Sequence, residues 1–343
     1  MAKANIKRIA ELAGVSTTTV SYVLNNKPGI SDETRNRVLQ IIEREHYTPA
    51  ANSPRSSLKR SYDIHLVIDE FTSFGNLFYS TILDTLTTAA QDYGYNIAVS
   101  NKIDSFQSSA TAKAIKHNDV DGLVFLHDID SETLLFLRQE RIPYVVIDSH
   151  RRDASYTRVC ADYDTAAYTV TKHLIELGHK QIAYIGDSTI PDFYIATFHG
   201  CCRALSEHKL ALQPQWLQTD ACDFESAYTC MENILNCSDH PTGIVCASDQ
   251  FALASMHCIQ AHGYQIPRDF SVVGIDDLNI SKVFYPPLTT IHLDSYEMAA
   301  RAVEFLNQQI VTQNPELQEV FVIKSDQLTV RTSTGPAPEK MEN

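Results

Sequence analysis

No stretch of the 343 residues approaches the roughly 18 consecutive apolar residues of a membrane-spanning helix, so a membrane protein is not expected. The opening run Met1-Ala2-Lys3-Ala4-Asn5-Ile6-Lys7-Arg8 lacks the apolar core of a signal peptide, which points away from export. The eight cysteines (Cys160, Cys201, Cys202, Cys222, Cys230, Cys237, Cys246 and Cys258) contain no CxxC pair. With no export signal they read as buried thiols of a reducing cytoplasm and not as a disulfide framework. Catalytic and metal signatures are missing as well: there is no HExxH, GxSxG, Walker loop or spaced Cys/His tetrad. His199-Gly200-Cys201-Cys202 comes nearest, and burial on a helix is the plainer reading of its cysteines. No enzyme, metal or cofactor is expected from these absences.

What is present is a soluble globular composition, 44% apolar and 20% charged, long enough for two or three folding units. The formal charge of −14 argues against nucleic acid until the chain is split at residue 60. Residues 1–60 carry ten Lys/Arg against five acids, a net +5, which leaves −19 on the rest. A basic head on an acidic body suits a polyanion-binding module whose body the polyanion repels; a solvated basic helical surface is the alternative.

The head itself favours DNA. Asn5 can cap a helix from Ile6 to Ala13 with Ile6, Ile9, Ala10 and Ala13 on one face, and Gly14 can end it. Ser16 caps a second helix carrying Val20, Val23 and Leu24, and Ser31 a third whose Val38, Leu39, Ile41 and Ile42 close a small core. Two short helices joined by a Gly-containing turn make a helix-turn-helix, whose second helix enters the major groove. Thr17, Thr18 and Tyr22 then lie on the reading face. Ser16, Thr19, Ser21, Asn25, Ser31 and Thr34 are placed for phosphates. A three-helix protein-interaction module is the competing reading, and the density of Ser and Thr counts against it.

After Tyr47 the periodicity lapses until Tyr62, with Asn52 or Ser53, Pro54 and Leu58 suited to open one short helix. Beyond it, short apolar runs alternate with helical patterns. The first series is 64–68, 96–99, 122–126 and 144–147; the second is 181–185, 243–246 and 271–275. Helical stretches at 79–92, 164–177 and 297–311 separate them. Alternating strands and helices imply parallel sheets flanked by helices, and two series imply two lobes with a ligand cleft between them.

The run Ile6-Lys7-Arg8-Ile9-Ala10-Glu11-Leu12-Ala13-Gly14-Val15-Ser16-Thr17-Thr18-Thr19-Val20-Ser21-Tyr22-Val23-Leu24-Asn25-Asn26 resembles the head of the LacI/GalR repressor family. The stretches Val120-Asp121-Gly122-Leu123, His173 to Ala183, Phe270 to Asp277 and Pro286 to Ile291 resemble that family's core. The resemblance implies an α/β protein: a lambda-repressor-like helix-turn-helix head and a two-lobed, periplasmic-binding-protein-like (type I) core. The expected division is head 1–48, hinge 49–61, effector-binding and dimerisation core 62–331, and polar tail 332–343. The implied function is a cytoplasmic homodimeric repressor whose operator affinity is controlled by a small, carbohydrate-like effector; release by an inducer is the family's commonest mode, and corepression has the opposite sign. Similar proteins insert a hinge leucine into the minor groove, which makes Leu58 the wedge and Arg55 a backbone contact.

Carried over by position, the effector cleft should include Phe78, Tyr79, Asp148, Phe224 and Asp276. Three departures stand out. Tyr22 replaces the family's usual Arg, so one hydroxyl and a ring replace a bidentate guanine reader. The Tyr47–Asn52 stretch is two residues longer than usual, adding up to about 7 Å of reach. Thr197 and Ser248 stand where Arg and Asn are usual, which shrinks the polar clamp; Phe193 and Tyr194 are the candidates to compensate by stacking. The tail lacks a leucine heptad, so a terminal coiled-coil tetramer is not expected. A solute-binding protein that delivers a ligand to a transporter is the alternative, and the basic head opposes it.

Overall fold

The computed structural model describes residues 6–24, 29–44, 60–68, 77–101, 106–151 and 155–338. Asn5, Asn25, Asn52, Ser53, Pro54, Arg55 and Leu58 lie outside them.

The head forms three helices, α1 (Ile6–Ala13), α2 (Thr17–Leu24) and α3 (Asp32–Arg44). Their ends follow local chemistry. Gly14 takes φ 62°, a left-handed turn that a side chain would resist. The Thr19 amide donates to Ser16 Oγ at 3.0 Å and the Thr34 amide to Ser31 Oγ at 3.3 Å, so both serines cap as their sequence positions imply. Ile9, Ala10, Ala13, Val20, Val23, Val38 and Ile41 form the small core.

The body opens with β1 (Asp63–Ile68), α4 (Leu77–Gln91), β2 (Asn96–Asn101), α5 (Ala110–His117), β3 (Gly122–Leu126), α6 (Ser131–Glu140), β4 (Tyr144–Ile147) and β5 (Arg158–Ala161). It continues with α7 (Tyr163–Glu176), β6 (Ile182–Ile185), α8 (Pro191–Glu207), β7 (Leu217–Gln218), α9 (Phe224–Leu235), β8 (Gly243–Cys246), α10 (Asp249–Ala261) and β9 (Ser271–Asp276). The last elements are α11 (Asn279–Val283), β10 (Thr289–His292), α12 (Ser295–Thr312), β11 (Val320–Ile323) and β12 (Leu328–Thr329).

These strands form two six-stranded sheets, β2-β1-β3-β4-β5-β11 in the N-terminal lobe and β7-β6-β8-β9-β10-β12 in the C-terminal lobe. The two orders correspond strand for strand. Both reverse direction at their second strand, where ligands of such sheets bind beyond the carboxyl ends. All residues of β3, β4, β6, β8 and β9 are buried, because helices cover both faces of a parallel sheet and only continuous apolar runs fit there. The edge strand β11 is different, exposing Val320 and Val322 while burying Ile323.

The chain passes between lobes three times, from β5 to α7, from β10 to α12 and from β11 to β12. Helix α12 belongs to the N-terminal lobe: Gln309, itself buried, accepts from the Tyr144 amide at 2.9 Å and donates to Thr157 Oγ1 at 2.9 Å. Strand β11 then runs parallel to β5, and β12 antiparallel to β10. In the C-terminal lobe α7 and α8 approach so closely at Gly200 that a Cβ there would meet the Asp164 carbonyl oxygen at 2.1 Å. The stretch after Arg331 is polar yet fastened to this lobe: the Ser333 amide donates to the Pro287 carbonyl and the Ala337 amide to that of Leu177.

Candidate effector cleft and DNA-reading face

The cleft is built from residues just past the carboxyl ends of strands. His127 follows β3, Asp148 and His150 follow β4, Tyr163 opens α7 after β5, and Asp276 closes β9. Phe78 and Tyr79 come from the first turn of α4, and Phe193 from the first turn of α8. His127, Asp148, Asp276 and Asp277 have φ of 72°, 60°, 132° and 59°, conformations costly for residues with a Cβ and concentrated at functional sites.

Asp148 is the hub on the N-terminal side. Tyr163 donates to its Oδ1 at 2.7 Å and Tyr79 to its Oδ2 at 2.9 Å, while His150 Nε2 lies 3.5 Å from Oδ2. Tyr79 Oη is also bonded to His127 Nε2. Since the single phenolic hydrogen goes to Asp148, His127 acts as the donor in that second bond. Burial alone would raise the Asp148 carboxyl; the His150 and His127 imidazoles and the Tyr163 hydroxyl outweigh it and hold the group well below the usual carboxylate range. Burial likewise opposes protonation of His150, but the carboxylates of Asp148, Asp128 and Asp192 raise it.

The lobes meet through rings. Phe193, from the C-terminal lobe, lies 5.3 Å from the His150 ring and 4.9 Å from that of Tyr163, nearly perpendicular to the latter. His127 and His150 are themselves 5.5 Å apart, and Phe78 packs against Tyr79 at 5.4 Å.

On the C-terminal side Asp276 accepts from the Asp249 amide at 3.3 Å. Asp249 accepts from the Leu278 amide at 2.9 Å and Ser281 Oγ at 2.6 Å, both at Oδ2, and from Thr290 Oγ1 at Oδ1. Burial raises both carboxyls, Asp249 to about 7 and Asp276 well above the usual range, the latter helped by the neighbouring Asp249 charge. With three donors Asp249 is the better anion, so Asp276 is the more readily protonated of the two.

Of the residues singled out by sequence, Phe78, Tyr79, Asp148 and Phe193 come together, and the Asp148 charge acts on Asp276 across the cleft. The other four do not join them. Tyr194 stacks on Phe198, with centroids 5.3 Å apart and planes 13° apart. Thr197 is fully buried, its hydroxyl shared between Tyr184 Oη at 2.6 Å and the Phe193 carbonyl at 3.0 Å. Ser248 caps α10 through the Phe251 amide. Phe224 is exposed at the start of α9, its ring 6.3 Å from that of His257. His127, His150 and Tyr163 were not among the expected residues. Their one signal was position, His127 and His150 just after the expected strands 122–126 and 144–147 and Tyr163 just before the expected helix 164–177.

The cysteines are free thiols, and burial pushes Cys201 and Cys246 up to about 12, which suppresses thiolate chemistry.

In the head, Ser16, Thr17, Thr18 and Ser31 are exposed, Thr19 and Thr34 half-buried, and Tyr22 is 39% exposed on α2. Ser21 lies on the same helix. Hydroxyls thus cluster at the N-termini of α2 and α3, where backbone amides and the helix dipole also favour a phosphate.

Residues 5–50 match the family described as bacterial regulatory proteins, lacI family, and residues 171–334 match the periplasmic binding protein-like domain. A ribose operon repressor of Haemophilus influenzae is 31% identical over 317 residues, covering 91% of this chain and 93% of that protein. The HTH-type transcriptional repressor PurR of Mannheimia succiniciproducens is 29% identical over 334 residues, covering 96% and 98%. Among solved structures, a CelR–cellobiose complex superposes with a TM-score of 0.71 at 23% identity, covering 96% of this chain and 99% of that one. The lac repressor dimer bound to operator and an anti-inducer gives 0.68 at 24%, covering 97% and 99%. These structures share the fold described above.

Proposed function

Because the chain belongs to the LacI family of bacterial regulatory proteins, it is a sequence-specific DNA-binding repressor controlled by a small molecule, and we propose how its residues divide that work. In this reading Thr17, Thr18 and Tyr22 face base edges, while Ser16, Thr19, Ser21, Asn25, Ser31 and Thr34 hold phosphates. Arg55 and Leu58 act from the hinge, the first on the backbone and the second as a minor-groove wedge. The protein works in the cytoplasm as a homodimer whose two heads take the half-sites of a near-palindromic operator. Ile280, Val283 and Tyr285 support a body-mediated dimer. Val283 and Tyr285 are 80% and 83% exposed, an apolar surface of the kind that marks interfaces.

The effector is a sugar or sugar derivative bound between the lobes. One observation carries this: Asp148 and Asp276, both buried, close strands of opposite lobes, with the Phe193 ring between the lobes. The Asp148 carboxylate accepts from sugar hydroxyls, the protonated Asp276 carboxyl both donates and accepts, and an aromatic face packs on the apolar face of a pyranose or furanose. The name of the 31%-identical relative, a ribose operon repressor, points the same way. Effector that changes the fit of the lobes moves the two hinges relative to each other. Operator and effector affinities are then coupled reciprocally, typically by about 1–3 kcal/mol.

A protein lacking residues 1–61 tests the division. A regulator loses DNA binding and keeps its ligand, whereas a solute-binding protein keeps its whole activity.

A further inference from the structure

We propose that His127, Asp148 and His150 form a binding site for one borderline divalent metal ion, of the zinc type, on the N-terminal side of the cleft. One ligand atom from each of the three residues lies within 4.8 Å of the others, and the side chains of Asp148 and His150, 3.5 Å apart, are both buried. No motif spacing announces the site, because its donors come from the ends of two different strands, β3 and β4.

The donor set decides the class of ion. Two imidazoles and one carboxylate favour zinc and its transition-metal neighbours over magnesium or calcium, which take all-oxygen sites. The backbone on which His127 and Asp148 sit is held in left-handed conformations, so the donors are aimed by the fold and not by flexible stems. Their supporting contacts have the form that orients metal ligands elsewhere. Tyr163 holds Asp148 Oδ1, Tyr79 bridges His127 and Asp148, and the Asp128 carboxylate receives the His150 amide at 3.3 Å.

Ligands at about 2.1 Å from a tetrahedral zinc lie roughly 3.4 Å from one another; Asp148 Oδ2 and His150 Nε2, at 3.5 Å, already have that spacing, so loading closes only the wider gaps within the group. Tyr79 Oη, bonded to two of them, yields or becomes the fourth ligand. The ion takes the lone pair of one nitrogen from each imidazole, and any proton held there leaves to solvent. The ring of Phe193 lies over His150 from the other lobe, so a loaded site faces the space the effector enters and presents it with a positive charge. The site does not depend on the repressor reading, since the three donors would bind an ion in a body that bound no DNA.

The test uses the full-length protein, stripped with a chelator, and ZnCl2 as the probe in isothermal titration calorimetry. One zinc per chain is expected, with affinity falling roughly 100-fold or more in both His127→Gln and His150→Gln, beyond the loss of a mere orienting partner. Circular dichroism establishes that each variant is folded. Zinc K-edge absorption on the wild-type protein supplies an answer even if the variants misfold. Two imidazole nitrogens with oxygen ligands support the site, and sulfur ligands or a single imidazole overturn it. Absence of tight binding to the wild type, or binding that both folded variants retain, also overturns it.

Discussion

His150 and Phe193 come from opposite lobes, yet their rings lie 5.3 Å apart. His150 is anchored to Asp148 at the end of β4, and Phe193 rides on the first turn of α8, so the pair reports whether the lobes are closed. Phe193→Ala removes a buried ring that also packs on Tyr163. Losing it should destabilise the body by about 3 kcal/mol and weaken the effector's influence on operator affinity. Urea unfolding, with operator titrations in the presence and absence of the effector, checks both. Undiminished coupling would remove Phe193 from the lobe contact.

The buried pair Asp249 and Asp276 sets a pH dependence whose sign can be stated. Their carboxyls are raised, Asp249 to about 7 and Asp276 further, from an ordinary 3.8. The folded chain therefore keeps a proton that the unfolded chain has already released. The pair's contribution is complete below the ordinary value and declines as pH rises toward the folded ones. Asp276→Asn keeps the shape and a neutral head group. It should flatten the fall in urea midpoint between about pH 5 and pH 8 relative to the native chain. An unchanged slope would show that the pair ionises without cost.

In the proposed docking Tyr22 touches a base and not a phosphate. Tyr22→Ala should relax preference at one operator position by about 1–3 kcal/mol and leave the slope of log affinity against log salt unchanged. A slope reduced by about one unit would move Tyr22 to the phosphate backbone.

Gly200 gives a prediction about packing alone. A methyl group there meets the Asp164 carbonyl of α7, a backbone atom that cannot swing aside. Gly200→Ala should cost about 1–3 kcal/mol as α7 and α8 are forced apart. Thermal unfolding measures it, and a neutral substitution would mean the two helices have room to separate.

Much of this architecture is legible in the sequence, for a physical reason. Strands buried on both faces are apolar through their middles, so Gly122–Leu126, Tyr144–Ile147, Gly243–Cys246 and the stretch 271–275 announce themselves. The short strands Leu217–Gln218 and Leu328–Thr329 carry no such run, and the apolar run Val320–Ile323 belongs to a partly exposed edge strand. Their pairing, such as Val322 beside Cys160, depends on three passages between lobes that no local pattern encodes. The site divides the same way. Asp148 and Asp276 stand where strands end, and the family resemblance pointed to both as cleft residues. Thr197 could not be judged by position: too short to leave α8, its hydroxyl turns inward to Tyr184. His127 and His150 belong to no motif and become neighbours only when β3 and β4 pair.

One chain is proposed to couple sequence-specific DNA binding to a small molecule held between its lobes. Selection of bound sequences from a random duplex pool tests it most directly. The full-length protein is used at near-physiological salt, alone and with each member of a sugar and nucleoside panel. A near-palindromic motif is expected, its affinity changing by about 5–150-fold with one of the sugars. Failure of any sequence to enrich, with or without every compound, would contradict it.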